Sequence, residues 1–120
     1  MRLAIIGTGL LGTSVAMAAA RLDSVEVVGW DPNPESLAEA AAISGMTPAA
    51  SAADAAAGSD AVVVAAPVAR LAGAVSDALV AAPEDSLVTD VGSTKAGVVA
   101  ANPDPRFVGG HPLEIGRAHV

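Results

Sequence analysis

The sequence predicts an α/β protein with a doubly wound, mostly parallel sheet and helices on both faces. Three observations predict it. Short β-branched runs alternate with longer alanine-rich stretches of helical character. The valine runs, such as Ala61-Val62-Val63-Val64-Ala65, are apolar at every position instead of alternating, as expected of strands covered on both faces. The first run leads straight into Gly7-Thr8-Gly9-Leu10-Leu11-Gly12 and a helical stretch. At 120 residues, 52% of them hydrophobic, the chain suffices for one compact domain and is too short for two. With one Trp, one Phe and no Tyr, its core has to be built from small aliphatic side chains.

In chain order, the pattern predicts strands at Leu3–Ile6, Val25–Trp30, a short one near Met46–Ala49, Ala61–Ala65, Ser86–Asp90 and Arg106–Val108. Helices are expected at Leu10–Arg21, Pro34–Ser44, Ala52–Ala57, Val68–Ala82 and Lys95–Ala101. Punctuation supports these bounds. Asn33-Pro34 opens a helix, Gly45 follows one, and Ala82-Pro83 ends another. No linker, fixed-period repeat or charge block divides the chain.

Several function classes are disfavoured by composition. The absence of cysteine removes disulfides, thiolate metal sites and a cysteine nucleophile together, and no metal site is expected. A formal charge of -7 without any basic run repels phosphate polymers and anionic lipid, which argues against nucleic-acid and membrane partners. The longest apolar run, Ala61–Val68, contains a proline and falls far short of the roughly 20 residues that span a bilayer. Met1-Arg2 is followed by an apolar run that glycines break before an h-region of about 7 to 15 residues can form, so a cytoplasmic start is expected.

Strand, glycine turn and helix are the setting of the dinucleotide-binding fingerprint, which makes the expected fold Rossmann-type. Gly7 permits the tight turn, Gly9 lets backbone approach a pyrophosphate, and Gly12 lets the helix pack close to the strand. The helix start at Leu10 and Leu11 supplies N–H donors and a positive dipole end to the phosphates. Asp31 follows the second strand, near the offset of about 20 residues at which a carboxylate accepts hydrogen bonds from an adenosine ribose. Asp31-Pro32-Asn33-Pro34 is also a turn sequence in its own right, and both roles are open to Asp31. The same carboxylate repels a 2′-phosphate, and no Arg or Lys follows before Arg70, so NAD is expected over NADP.

Three later stretches fall at carboxyl ends of strands, where ligands bind in open α/β sheets: Ala65-Ala66-Pro67-Val68, Asp90-Val91-Gly92-Ser93-Thr94-Lys95 and Gly109-Gly110-His111-Pro112. Read as residues alone, His111 is also an ordinary turn residue, Ser93 or Thr94 a helix cap, Lys95 a solvated first-turn residue and Asp90 a strand-end acceptor.

With its "DVGSTK" turn and "RFVGGHP" ending, the sequence resembles the prephenate dehydrogenases and related arogenate dehydrogenases of tyrosine biosynthesis, from residue 1 to about 113. That resemblance implies oxidative decarboxylation of prephenate to 4-hydroxyphenylpyruvate. His111 would be the catalytic histidine and Ser93 its companion at the substrate hydroxyl. Gly7, Gly9, Leu10, Leu11, Gly12 and Asp31 would hold NAD, with Pro67 lining the nicotinamide pocket. A neutral histidine, with an unperturbed pKa of about 6.5, suits a base that takes the hydroxyl proton. The alternatives are arogenate dehydrogenase, another NAD(P)-dependent hydroxy-acid dehydrogenase, or a nucleotide-binding module without catalysis.

After Leu113 the resemblance stops. The family pattern would continue into a largely helical second domain carrying substrate contacts and the contacts of a homodimer. Instead, Ile115-Gly116-Arg117-Ala118-His119-Val120 can be encoded by ATC GGA AGA GCA CAC GTC, one reading frame of a common short-read sequencing adapter. The expected organisation is therefore an NAD-binding domain over 1–113 and a non-native tail over 114–120, the chain being a fragment that binds NAD with negligible turnover.

Overall fold

A computed structural model describes residues 1–91 and 104–108. The predicted helix at Lys95–Ala101 and the tail at 114–120 lie outside the described residues. Six strands form one sheet: β1 (Arg2–Ile6), β2 (Glu26–Trp30), β3 (Thr47–Pro48), β4 (Ala61–Val64), β5 (Leu87–Asp90) and β6 (Phe107–Val108). All neighbours pair in parallel, in the order β3-β2-β1-β4-β5-β6. That order, with its reversal between β1 and β4, is the doubly wound arrangement expected from the sequence.

Strand periodicity sorts the apolar side chains into two cores. Leu3 and Ile5 of β1, Val27 of β2 and Ala61 and Val63 of β4 pack with α1 (Leu10–Ala20) and α2 (Pro34–Ser44) through Ala16, Ala19 and Ala40. Their alternates Ala4, Ile6, Val28, Val62 and Val64 pack with α3 (Ala52–Ala57) and α4 (Val68–Ala81) through Ala55, Ala56, Leu71, Val75, Ala78 and Leu79. The uniformly apolar strands are thus explained, because both faces of each are covered. Alanine at the contacts lets helix backbones approach the sheet closely, which is how a chain nearly free of aromatics fills its core.

Element ends differ from the sequence reading by a residue or so, for local reasons. Ala82 leaves the helix at φ -72° and ψ 149° because Pro83 follows it and disfavours the helical region. Arg21 caps α1 with its N–H on Ala18 and Ala19 carbonyls instead of continuing it. β3 is reduced to two residues at the sheet edge, where Pro48 can sit without costing a ladder bond.

The register sets up the site. Ile6 pairs with Trp30 on one side and with Val64 on the other, and Val64 pairs with Asp90. The next residues, Gly7, Asp31, Ala65 and Val91, therefore stand in one row along the carboxyl edge of the sheet.

Candidate functional site

All four residues of that row line a cleft of about 950 Å³ at the carboxyl edge. Its centre is the glycine turn. Gly7 has φ +97°, and a Cβ there would come 2.8 Å from the Ala65 carbonyl, so only glycine fits. Its N–H donates to the Trp30 carbonyl at 2.8 Å. Gly12 is held just as closely, since a Cβ would run into the Gly7 carbonyl oxygen. Gly9 is different: a Cβ there would meet nothing within 4 Å. The space in front of Gly9 opens into the cleft.

The start of α1 faces that space uncapped. Gly9 is its N-cap, no side chain accepts from its first turn, and no acidic residue lies there. The N–H groups of Leu10, Leu11 and Gly12 thus keep the orphan donors and positive dipole end of a helix N-terminus. By contrast, Asn33 caps α2, accepting from Glu35 and Ser36 N–H, and Ser51 caps α3, accepting from Asp54 N–H. An anion, such as a diphosphate, fits the uncapped end.

Asp31 does more than the sequence implied. Its Oδ1 accepts from Asn33 N–H at 2.8 Å, which is the Asx turn that its sequence allows. Its Oδ2 accepts from both the N–H and the hydroxyl of Thr8, at 2.7 and 3.0 Å. Sequence reasoning missed Thr8 because this contact joins two strand ends 23 residues apart. Three donors leave the carboxylate room for one more, since its two oxygens offer about four acceptor positions.

The opposite lip comes from the end of β4 and from α4: Ala66, Pro67, Val68 and, further along, Arg70, Gly73, Ala74 and Asp77. Leu10, Leu11 and Val68 on the rim are exposed. Pro67 lines the cleft wall. Asp90 is fully buried at the end of β5. Ser93 and His111, with Thr94 and Lys95, fall outside the described residues. The α4 wall was not anticipated, although the spacing of Arg70, Gly73, Ala74 and Asp77, three, four and seven residues on from the first, marks one helix face. No helix among the described residues is long and apolar enough to cross a membrane.

Comparisons with known proteins point the same way. The chain is similar to the prephenate dehydrogenase of A. aeolicus, solved with hydroxyphenyl propionate and NAD+, at 28% identity and TM-score 0.79, over 94% of this chain and 42% of that one. Synechocystis arogenate dehydrogenase shares the fold at 18% identity and TM-score 0.77, over 93% of this chain and 41% of that one. Mycobacterium tuberculosis 3-hydroxyisobutyrate dehydrogenase matches at 26% identity and TM-score 0.73, over 90% of this chain and 38% of that one. The chain thus spans about two fifths of the length of these structures. A search of curated proteins by sequence finds no match. Residues 2–94 match the family described as NADP oxidoreductase, coenzyme F420-dependent, and the chain belongs to that family as a Rossmann-type NAD(P)-binding oxidoreductase domain.

Proposed function

We propose that this chain is the dinucleotide-binding part of an NAD-dependent prephenate dehydrogenase. The observation that carries the cofactor half is the uncapped start of α1 behind an open Gly9, with the Asp31 carboxylate at the next strand end. The diphosphate takes N–H groups of Leu10, Leu11 and Gly12, and a ribose hydroxyl takes the remaining acceptor position of Asp31. NAD is favoured over NADP because the Asp31 carboxylate lies at the ribose end and repels a 2′-phosphate, and Asn33 already occupies the first α2 donors. Among the described residues of the cleft, Arg70 is the one cation, and Asp77 shares its helix face.

The substrate reading rests on the "DVGSTK" and "RFVGGHP" motifs together with the 28% identity to an enzyme solved with NAD+ and a hydroxyphenyl acid. In this reading His111 accepts the proton of the substrate hydroxyl and Ser93 holds that hydroxyl. Pro67 walls the nicotinamide, which when bound accepts the hydride from the ring carbon as carbon dioxide leaves. The rest of the driving force is aromatisation, so these residues chiefly position donor and acceptor. Arogenate in place of prephenate differs only in contacts beyond this chain. The similarity to a 3-hydroxyisobutyrate dehydrogenase favours a hydroxy-acid substrate as the second reading.

Residues 114–120 form a foreign tail in this proposal, so His119 has no role, and the sequence of the source locus tests it. The chain binds NAD with negligible turnover, and its exposed Leu10, Leu11 and Val68 favour aggregation. The parent enzyme is a cytoplasmic homodimer. In that parent, His111→Asn abolishes prephenate-dependent NADH formation and leaves NAD affinity unchanged. Retained turnover in the variant, or turnover by the 120-residue chain itself, overturns the assignment.

A further inference from the structure

The Thr13 hydroxyl is spent in an unusual place. Those of Ser14, Ser44 and Ser59 each donate to the carbonyl four residues back, on Leu10, Ala40 and Ala55. Thr13, near the start of α1, reaches one residue further, past the helix end, and donates its hydroxyl to the Thr8 carbonyl at 3.0 Å. Its backbone N–H donates to the Gly9 carbonyl at 2.9 Å. One residue thus gathers two successive carbonyls of the glycine turn. It does so from behind the turn, since Thr8 and Thr13 line the shallow groove between α1 and α2 together with Ser36 and Glu39.

Peptide planarity carries the effect of those bonds to the front of the turn. The oxygen and the N–H of a trans peptide point from opposite edges of one plane. With the Thr8 oxygen drawn back to Thr13, the Gly9 N–H faces the other way, and Gly9 lines the cleft. That N–H has no partner among the described residues. The Thr8–Gly9 peptide is also one that the chain leaves free to turn over. A flip carries the φ of the second residue from negative to positive, which glycine adopts at little cost, and Gly9, now at φ -73°, has open space around it. In the flipped arrangement the Thr8 oxygen enters the cleft and repels an anion there. Asp31 holds the N–H and the hydroxyl of Thr8 but leaves its carbonyl to Thr13.

We propose that Thr13 is a positioning residue of this cleft: its hydroxyl locks the Thr8–Gly9 peptide with the carbonyl turned back, and so keeps the Gly9 N–H aimed at the diphosphate as a further donor. The proposal rests on reading the cleft as a dinucleotide site and adds to it the device that sets the turn. Thr13 itself touches neither cofactor nor substrate and acts through the peptide it holds.

The test is titration of the 120-residue chain with NAD+, read by calorimetry and by the amide resonance of Gly9 in nitrogen-15 NMR spectra. In the unmodified chain the Gly9 amide proton is expected to move downfield as NAD+ saturates, the signature of a new bond to a phosphate oxygen. Thr13→Val keeps the shape of the side chain and removes its donor. It is expected to weaken NAD+ about tenfold, the worth of one charge-assisted hydrogen bond, with a melting temperature within about 5 °C of the parent. Thr13→Ser restores the hydroxyl and is expected to bind within about twofold of the parent. Full affinity in Thr13→Val, a loss in Thr13→Ser as large as in Thr13→Val, or a Gly9 amide that saturating NAD+ leaves unmoved each overturn the lock while leaving the dinucleotide reading intact. The Gly9 measurement needs no variant, so it decides the proposal even if Thr13→Val fails to fold. Absence of NAD+ binding by the unmodified chain overturns both.

Discussion

Thr8 gives both its backbone N–H and its hydroxyl to one oxygen of Asp31, at 2.7 and 3.0 Å, so the glycine turn after β1 and the end of β2 are a single hydrogen-bonded unit. Because Thr8 is buried and the carboxylate also closes the Asn33 turn, the acid is aimed before any ligand arrives. Such an arrangement limits the ordering that binding must pay for. Thr8→Val keeps the shape and the backbone bond and loses the hydroxyl bond. It is expected to cost about 1 kcal/mol of stability and to weaken NAD several-fold. Asp31→Ala removes all three acceptances and is expected to cost about 1 to 3 kcal/mol, with NAD binding lost. Chemical denaturation and calorimetry on the same samples read both effects.

The three glycines of the turn separate into two kinds. Gly12→Ala drives a methyl into the Gly7 carbonyl and is expected to destabilise the fold by about 3 kcal/mol. Gly9→Ala adds a methyl in open space on a backbone with φ -73°, which alanine adopts freely, so its melting temperature should match the parent. Its NAD affinity is expected to fall at least about tenfold, because that methyl takes the place of the diphosphate. A Gly9→Ala variant that binds normally would remove the phosphate from this turn.

Trp30 is the only tryptophan in the sequence and lines the cleft. Its emission therefore reports on the site without labelling. Titration with NADH is expected to quench Trp30 emission and saturate, and the quenching is expected to vanish in Gly9→Ala. Unchanged emission at saturating NADH would place the dinucleotide elsewhere.

Arg106 ties the start of β6 to the end of α4. Its guanidinium donates to the carbonyls of Leu79, Ala82 and Pro83 and to the Asp104 carboxylate, which it pairs at 2.9 Å. Arg106 thereby satisfies the Leu79 and Ala82 carbonyls at the helix end, whereas the Pro83 carbonyl also accepts from the N–H and hydroxyl of Ser86. Hydrogen bonds from the Arg106 side chain, then from its backbone, hold the Asp104 carboxyl below its ordinary value of 3.8. Asp104 therefore adds stability that is complete above pH 3.8 and is lost as the pH falls through the lowered value. Asp104→Asn is expected to melt slightly lower than the parent at pH 7, with the difference closing on the acid side. Arg106→Met is expected to lower the melting temperature further, since the Leu79 and Ala82 carbonyls lose the guanidinium donor. A gap that persists unchanged at low pH would show that the pair contributes nothing.

Most of the candidate site was legible because its signals are local. Gly7, Gly9 and Gly12 declare themselves by spacing, Asp31 by its place after a valine run, and Pro67 by following the Ala61–Val64 strand. The Asx turn at Asp31 was legible too, since it spans only two residues. Thr8 was not, because nothing in a six-residue motif indicates which carboxylate will lie opposite its second position. Gly73 and Asp77 were hidden for a related reason. A helix face is readable from spacing, but whether it looks onto solvent, a core or a cleft depends on what packs beside it.

The sequence by itself determined the alternation of strands and helices, the two-faced burial of the sheet and the glycine turn that follows the first strand. All of these follow from periodicities and backbone preferences that act over a few residues. Only the tertiary structure decided that Gly7, Asp31, Ala65 and Val91 share one edge, that Thr8 clasps Asp31, and that α4 closes the cleft opposite Pro32. Those relations depend on which strands pair and in what register, and such pairing is settled by burying two cores at once, over separations of tens of residues.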